Sequence, residues 1–131
     1  MGTKSGGIGA YQEAERREIT DTRDPNVLVK KLFDKACILL RSAINSLKED
    51  NTDSFQASSL HALQIVISLR FVLEVKPDDS LASTLFETYT AIAASLFKAK
   101  EERDLVALSK IYDALNELRE AWEILLLSKK T

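Results

Sequence analysis

Residues Asp53 to Lys76 read DSFQASSLHALQIVISLRFVLEVK, and apolar side chains recur at helical spacing on two opposite sides of this segment. One stripe contains six apolar residues, Ala62, Ile65, Val66, Leu69, Val72 and Leu73. The second stripe contains four, Leu60, Leu63, Ile67 and Phe71. A helix on the outside of a small soluble protein needs only one apolar stripe. The segment therefore predicts a helix that buries one side in a core and presents the other to a partner.

Length and composition predict one all-helical domain. The chain has 131 residues, which is enough for a single hydrophobic core. Only two prolines and four glycines interrupt it, and no strand pattern occurs. The net charge of −2 argues against a nucleic-acid binder, and no apolar run is long enough to predict membrane insertion. A single cysteine excludes an internal disulfide framework and fits the reducing cytoplasm.

A helical bundle is predicted to follow a short mobile N-terminal segment. Residues 1–24 are rich first in glycine and then in charge, so we expect them to form a flexible arm without a core of its own. Asp24 and Pro25 indicate a helix start, because proline is favoured at the first helical position. Short turns between the helices predict an antiparallel up-down four-helix bundle over residues 25–128.

Four helices make up the predicted bundle. Their expected bounds are Pro25–Glu49, Asp53 to the residue before Pro77, Ser80–Lys100 and Asp104–Leu127. Asp53 followed by Gln56 resembles a capping box, in which two side chains satisfy the free backbone N–H groups at a helix start. The second helix is therefore expected to begin at Asp53.

Residue types that commonly carry catalysis are scarce in this chain. Cys37 lies in the middle of a helix at the edge of an apolar arc, which is typical of a packing residue. His61 resembles the phosphate acceptor of phosphorelay bundles, but the following Ala-Leu-Gln-Ile departs from the lysine and glycine of those domains. No Glu-x-x-His pair and no phosphate-binding glycine loop occurs in the sequence. We therefore expect no enzymatic activity, metal or cofactor, and a phosphorelay bundle is the least favoured alternative.

The exposed stripe of the second helix and the small residues of the third predict a partner-binding groove. These helices are neighbours in an antiparallel bundle. The predicted wall consists of Leu60, Leu63, Ile67 and Phe71, and the predicted floor of Thr88, Ala91, Ala94 and Ser95. Such a groove suits an amphipathic helix from another chain. Alternatively, the N-terminal segment or a second copy of the chain covers the stripe permanently. In the second case the chain is a self-associating helical adaptor.

Four short motifs stand along the chain in a characteristic order and spacing: Ala10-Tyr11-Gln12, Asp24-Pro25, Ala62-Leu63-Gln64-Ile65-Val66 and Leu118-Arg119-Glu120-Ala121-Trp122. Together they resemble the flagellar secretion chaperone family FliS. The resemblance covers about Ala10 to Trp122 and is carried mainly by the Ala-Tyr-Gln start and the tryptophan finish. One departure is Arg23-Asp24 before the proline, where the family usually has a Thr-Ala or Thr-Ser pair.

The resemblance implies a cytoplasmic chaperone that binds the C-terminal segment of flagellin and prevents its polymerisation before type III flagellar export. It also implies that an N-terminal cap, here Tyr11, Gln12 and Ile19, folds over a groove when no client is bound. Components of the flagellar export apparatus are further candidate partners, and the expected state is a monomer or weak homodimer. Whether the arm inhibits binding or clamps the client is left open by the sequence.

Overall fold

The computed structural model describes residues 25–72 and 80–129, and the four predicted helices are all present there. They are α1 (Pro25–Lys48), α2 (Thr52–Val72), α3 (Ser80–Glu102) and α4 (Leu105–Lys129). No strand occurs within the described residues. The predicted N-terminal arm, the cap residues Tyr11, Gln12 and Ile19, and the segment between α2 and α3 lie outside them.

Each helix packs against two neighbours, in the cyclic order α1, α2, α3, α4 and back to α1. Contacts between opposite helix ends show that the neighbours run antiparallel. Lys30 near the start of α1 lies 3.9 Å from the carboxylate of Glu123 near the end of α4. Lys100 near the end of α3 donates a 3.0 Å hydrogen bond to Gln56 near the start of α2. The antiparallel up-down bundle predicted from the sequence is therefore confirmed.

One hydrophobic core runs between the inward sides of the four helices. Its largest fully buried apolar and aromatic side chains are Phe33, Leu40, Phe55, Val66, Leu69, Tyr89, Leu96, Leu108 and Leu115. Phe33 and Tyr89 pack edge to face with ring centroids 5.7 Å apart, which links α1 to α3 across the bundle. Cys37 is also buried, and this confirms its assignment as a packing residue.

The α1–α2 and α3–α4 connections use the same tight turn. Asp50 and Arg103 have left-handed backbone conformations, with φ of 57° and 51°. The N–H groups of the next residues, Asn51 and Asp104, then bond to the carbonyl oxygen five residues back at 2.8 and 3.0 Å. This is the Schellman pattern, which satisfies free carbonyl groups at the end of a helix.

The same two residues begin the following helices. The Oδ1 atom of Asn51 accepts a 3.2 Å hydrogen bond from the backbone N–H of Ser54. The Oδ1 atom of Asp104 accepts a 3.1 Å bond from the backbone N–H of Ala107. Asn51 and Asp104 are therefore N-caps. The backbone N–H of each caps the end of one helix, and its side chain caps the start of the next.

The capping box predicted from Asp53 and Gln56 is wrong. Because Asn51 occupies the N-cap position, α2 begins at Thr52, and Asp53 lies within its first turn. The Gln56 side chain accepts the bond from Lys100 instead of reaching back to its own helix start. Asn51 and Asp53 are both cap-forming types, and only the turn geometry selects between them.

Arg103 provides a test of the turn geometry. A non-glycine residue in the left-handed region costs on the order of 1 kcal/mol, and glycine avoids this cost. We expect Arg103→Gly to raise the free energy of unfolding by about 0.5 kcal/mol, because the greater unfolded-state entropy of glycine offsets part of the gain. Arg103→Val should instead lower it by about 1 kcal/mol. Thermal unfolding of both variants measures the difference, and a lower melting temperature for the glycine variant would contradict the turn.

Two buried groups predict a loss of stability at alkaline pH. Burial raises the pKa of the Cys37 thiol and of the Tyr89 hydroxyl above their ordinary values of 9.0 and 10.0. Each group therefore contributes to the free energy of unfolding while it stays protonated in the folded state. This contribution is fully present below the group's ordinary pKa and is lost as pH rises through the raised folded-state pKa. Urea unfolding between about pH 8 and pH 11 should show this decline, and Cys37→Ala should make it shallower. An identical pH dependence in the variant would rule out the thiol contribution.

Candidate functional site

An apolar groove runs along the seam between α3 and α4. Its central section encloses about 530 Å³ and is lined by Thr88, Ala91, Ile92, Ser95, Lys110, Ile111, Ala114, Glu117 and Leu118. A second section of about 330 Å³ shares Ser95, Lys110 and Ile111 with the first and continues to Glu102 and Asp104 at the turn. The two sections form one continuous feature, the α3–α4 groove. From Thr88 to Glu102 it is about 21 Å long at the helical rise per residue.

Small side chains keep the α3–α4 groove open. Ala91 and Ala99 line it from α3, and Ala107 and Ala114 line it from α4. A methyl group fills much less of the space between two helices than a leucine or phenylalanine side chain. Helices α3 and α4 therefore pack together on the side that faces the core, and a groove is left between them on the side that faces solvent.

The floor of the groove is apolar. Ile92, Ile111 and Leu118 supply branched aliphatic side chains, of which Ile111 is buried and the other two are half-buried. The Thr88 hydroxyl donates a 2.9 Å hydrogen bond to the Thr84 carbonyl within α3. Because the hydroxyl proton is already engaged within α3, Thr88 offers a ligand its methyl group and an acceptor oxygen, and no free donor. The arrangement favours a ligand with an apolar surface.

Charged residues of both signs stand along the rim of the groove. Lys98 and Glu102 line it near the α3–α4 turn, and Lys110 and Glu117 line it from α4. All four side chains are exposed. Exposed charges contribute little binding energy, but they orient a partner and disfavour wrong registers.

An aromatic pair holds α3 and α4 together at the end of the groove away from the turn. The indole Nε1–H of Trp122 donates a 3.2 Å hydrogen bond to the hydroxyl oxygen of Tyr89. Tyr89 is buried, whereas Trp122 is half-buried against the core. Tyr89 is adjacent to Thr88 along α3, and Trp122 lies one turn beyond Leu118 along α4. The pair therefore fixes the helix spacing where the groove ends.

Only two of the four residues of the predicted groove wall on the second helix are exposed. Leu63 lies in the core and is only 8% exposed, and Ile67 is half-buried against the core. Leu60 and Phe71 are 46% and 82% exposed. The physical reason is that α2 has two neighbours. Gln56 and Arg70, which contact α3, lie on the same side of α2 as Leu63 and Ile67 at helical spacing, so this side meets α3.

The predicted groove floor lies on a different side of α3 from the one expected. Thr88, Ala91 and Ser95 line the α3–α4 groove rather than a groove shared with α2. Ala94 is exposed and lines neither section. Three of the four predicted floor residues thus line a groove whose second wall is α4 and not α2.

Two side-chain contacts close the seam between α2 and α3. The Lys100 ammonium bonds to Gln56 at one end of the seam. The Arg70 guanidinium lies 4.7 Å from the centroid of the Phe86 ring at the other, a cation–π contact. Both contacts lie along the seam between the second and third helices, where the groove is predicted from the sequence.

The α4 wall of the groove is not predicted from the sequence. Ile111 and Leu118 of α4 both form part of the groove floor. Ala107 and Ala114, seven residues apart on one side of the helix, are the signal that marks a second small-residue surface.

Other chemistry-bearing groups do not assemble into a site within the part of the chain that the structure describes. His61 is exposed on α2. No group of three or more histidine, cysteine, aspartate or glutamate side chains among the described residues is placed to hold a metal ion. Of the helices described, none combines the length and hydropathy needed to cross a membrane.

Comparison with known proteins identifies the family. The family model described as flagellar protein FliS matches residues 7–128, which include all of α1, α2 and α3 and nearly all of α4. No individually curated protein matches the chain. The match confirms the resemblance found in the Ala-Tyr-Gln start, the Asp-Pro helix start and the tryptophan finish. The chain therefore belongs to the FliS family of flagellar chaperones, a family without enzymatic function.

Proposed function

We propose that the chain is a cytoplasmic export chaperone that binds the C-terminal segment of flagellin in the α3–α4 groove. Binding there keeps flagellin from polymerising before it enters the type III flagellar export apparatus. Membership of the FliS family supports a chaperone role. The observation that carries the choice of site is the continuous apolar groove, about 21 Å long, that begins at Thr88 and ends at Glu102.

The dimensions of the groove define the client segment. A length of about 21 Å accommodates roughly 14 residues of helix, or four turns. The client helix should place apolar residues at helical spacing on one side, because that side meets Ile92, Ile111 and Leu118. The alanines of the lining allow the client backbone to approach closely.

Chaperoning in this scheme is an equilibrium effect. A segment held in the groove is removed from the pool of free flagellin, and its apolar surface is covered rather than available for filament contacts. The chaperone needs no energy source. Release of flagellin requires only a competing site that binds the same segment with higher effective affinity.

The N-terminal segment containing Tyr11, Gln12 and Ile19 is the proposed cap of the empty groove. Removing residues 1–20 separates its two possible roles. Tighter binding of flagellin after removal identifies a competing cap, and weaker binding identifies a clamp on the client. The measurement is the dissociation constant of the flagellin segment for the truncated and full chains.

A polymerisation assay tests the proposed function. Monomeric flagellin is induced to form filaments with and without an equimolar amount of the chain, and filament growth is followed by light scattering. We expect the chain to suppress growth in proportion to its concentration. Flagellin lacking its C-terminal segment is the control and should not bind. Unchanged filament growth at excess chain would contradict the proposal.

One observation supports self-association as a second candidate function. Leu60, Phe71 and Phe97 are 46%, 82% and 56% exposed, and we call them the α2–α3 apolar edge. Between Asp53 and Arg70, α2 carries no aspartate, glutamate, lysine or arginine, so a second copy meets little charge repulsion there. Sedimentation equilibrium of the isolated chain tests this alternative. A dimer that Phe97→Glu converts to a monomer would support it, and a wild-type monomer would dismiss it.

A further inference from the structure

A second cleft, with charged, polar and apolar residues in its lining, lies on the other side of α4. It encloses about 350 Å³ between α1 and α4, and α1 contributes Asp34, Cys37, Ile38 and Arg41 to its lining. We call it the α1–α4 cleft. The α3–α4 groove lies on the opposite flank of the same helix. The two sites share no lining residue, so a ligand bound in one leaves the other accessible.

Arg119 forms one end of the cleft and is held in a fixed orientation. Its Nε and Nη2 atoms donate to the Oδ1 atom of Asn116 at 3.1 and 2.9 Å. Its Nη1 atom lies 3.5 Å from the Asp34 carboxylate. The Lys30 ammonium bonds to the same carboxylate at 2.9 Å. Asp34 is therefore engaged by two cations and is a poor acceptor for a further ligand.

The rest of the cleft offers hydrogen-bond donors. Because the Asn116 oxygen faces Arg119, its Nδ2–H₂ group is left to donate elsewhere. Arg41 is exposed, and Tyr112 is half-buried. Neither the Arg41 guanidinium nor the Tyr112 hydroxyl has a hydrogen-bond or ion-pair partner among the residues that the structure describes. Three donor groups thus line the cleft without an acceptor of their own.

An apolar side chain stands beside these donors. Ile38 is 64% exposed, and it lies one turn before Arg41 on α1. The buried Cys37 lines the cleft beside it. The combination of donors with an exposed isoleucine matches a ligand in which an anionic group is adjacent to an aliphatic one.

We propose that the α1–α4 cleft binds a glutamate or aspartate side chain, next to an aliphatic residue, in an acidic segment of a protein partner other than the client. The carboxylate pairs with Arg41 and accepts from Tyr112 and Asn116, while the aliphatic neighbour contacts Ile38. Two arginines and one aspartate give the cleft a net charge of +1 in a chain of net charge −2. A phosphate dianion fits less well, because only one arginine is unpaired and Asp34 lies nearby.

A matched pair of peptides tests the proposal in the full-length chain. The probes are acetyl-Leu-Glu-Ile-amide and acetyl-Leu-Gln-Ile-amide, titrated into ¹⁵N-labelled protein at low salt. We expect millimolar binding of the glutamate peptide, with chemical-shift changes centred on Ile38, Arg41, Tyr112 and Asn116, and no binding of the glutamine peptide. Arg41→Gln should raise the dissociation constant of the glutamate peptide fivefold or more. Lys35→Gln, which removes an exposed α1 charge outside the cleft, should leave binding unchanged.

Several results would overturn this assignment. Equal binding of the two peptides, shift changes away from the cleft, or no binding at all would each exclude a carboxylate site. Tighter binding of inorganic phosphate would assign the cleft to a different anion. Binding that appears only after residues 1–24 are removed would assign the cleft to a carboxylate of the chain's own N-terminal arm. Flagellin binding should be unaffected by Arg41→Gln, so the failure of either proposal is distinguishable from that of the other.

Discussion

Ala91→Glu is expected to abolish binding of the flagellin C-terminal segment while the bundle stays folded. Ala91 is exposed and lines the α3–α4 groove, so glutamate is tolerated in the free protein. In the complex its carboxylate would be buried against the apolar side of the client without a partner. We expect affinity to fall by about 100-fold, or roughly 3 kcal/mol. Titration calorimetry gives the dissociation constant, and circular dichroism gives the helical content.

Ala94→Glu is the matched control for this prediction. Ala94 is also exposed on α3, three residues away, but it lines neither section of the groove. The two substitutions add the same charge to the same helix and have similar effects on helix propensity. Binding by the Ala94→Glu variant should therefore equal that of the wild type. Equal losses in the two variants, or no loss in either, would contradict the position of the groove.

Trp122→Ala is expected to lower the free energy of unfolding by about 3 kcal/mol. The substitution removes indole packing against the core. It also leaves the buried Tyr89 hydroxyl without its donor, and an unsatisfied buried polar group adds to the cost. For a chain of this length, the melting temperature should fall by about 10 °C. Urea denaturation followed by circular dichroism measures the free energy.

Trp122→Phe separates the two contributions. Phenylalanine keeps most of the packing but cannot donate to Tyr89, so the expected loss is about 1–2 kcal/mol. If Trp122→Ala left the stability unchanged, the contact between α3 and α4 at this end of the groove would not be stabilising. If both variants lost the same amount, the hydrogen bond would outweigh the packing.

Helix positions were predictable because their signals are local. The apolar spacing of each helix is readable over three or more turns, and Pro25 marks the first helix start. The short turns at Asp50 and Arg103 leave antiparallel packing as the simplest arrangement. The exact start of α2 was not predictable, since Asn51 and Asp53 are both good caps.

The groove was harder to predict because it depends on which helices meet. If each helix turns only one side to the core, the second apolar stripe of α2 is predicted to lie on the surface. In the bundle each helix has two neighbours, and the side of α2 that carries Leu63 and Ile67 is the side that contacts α3. Ile67→Glu is consequently expected to destabilise the bundle rather than to act on client binding alone.

The small-residue side of α3 was recognised, but its partner was not. Ala91 and Ser95 can face either neighbour of α3 when only spacing is known. The structure shows that they face α4, where Ala107 and Ala114 provide a matching small surface. A groove between two helices of a bundle is therefore predicted where both helices carry small side chains, and small side chains on one helix alone do not locate it.

The most direct test is calorimetric titration of the full chain with the last forty or so residues of a flagellin from the same organism, at several temperatures. Burial of the client in the α3–α4 groove predicts one-to-one binding below 1 μM with a large negative heat-capacity change. Absence of binding heat at every temperature would contradict flagellin chaperoning and leave self-association through the α2–α3 apolar edge as the favoured function.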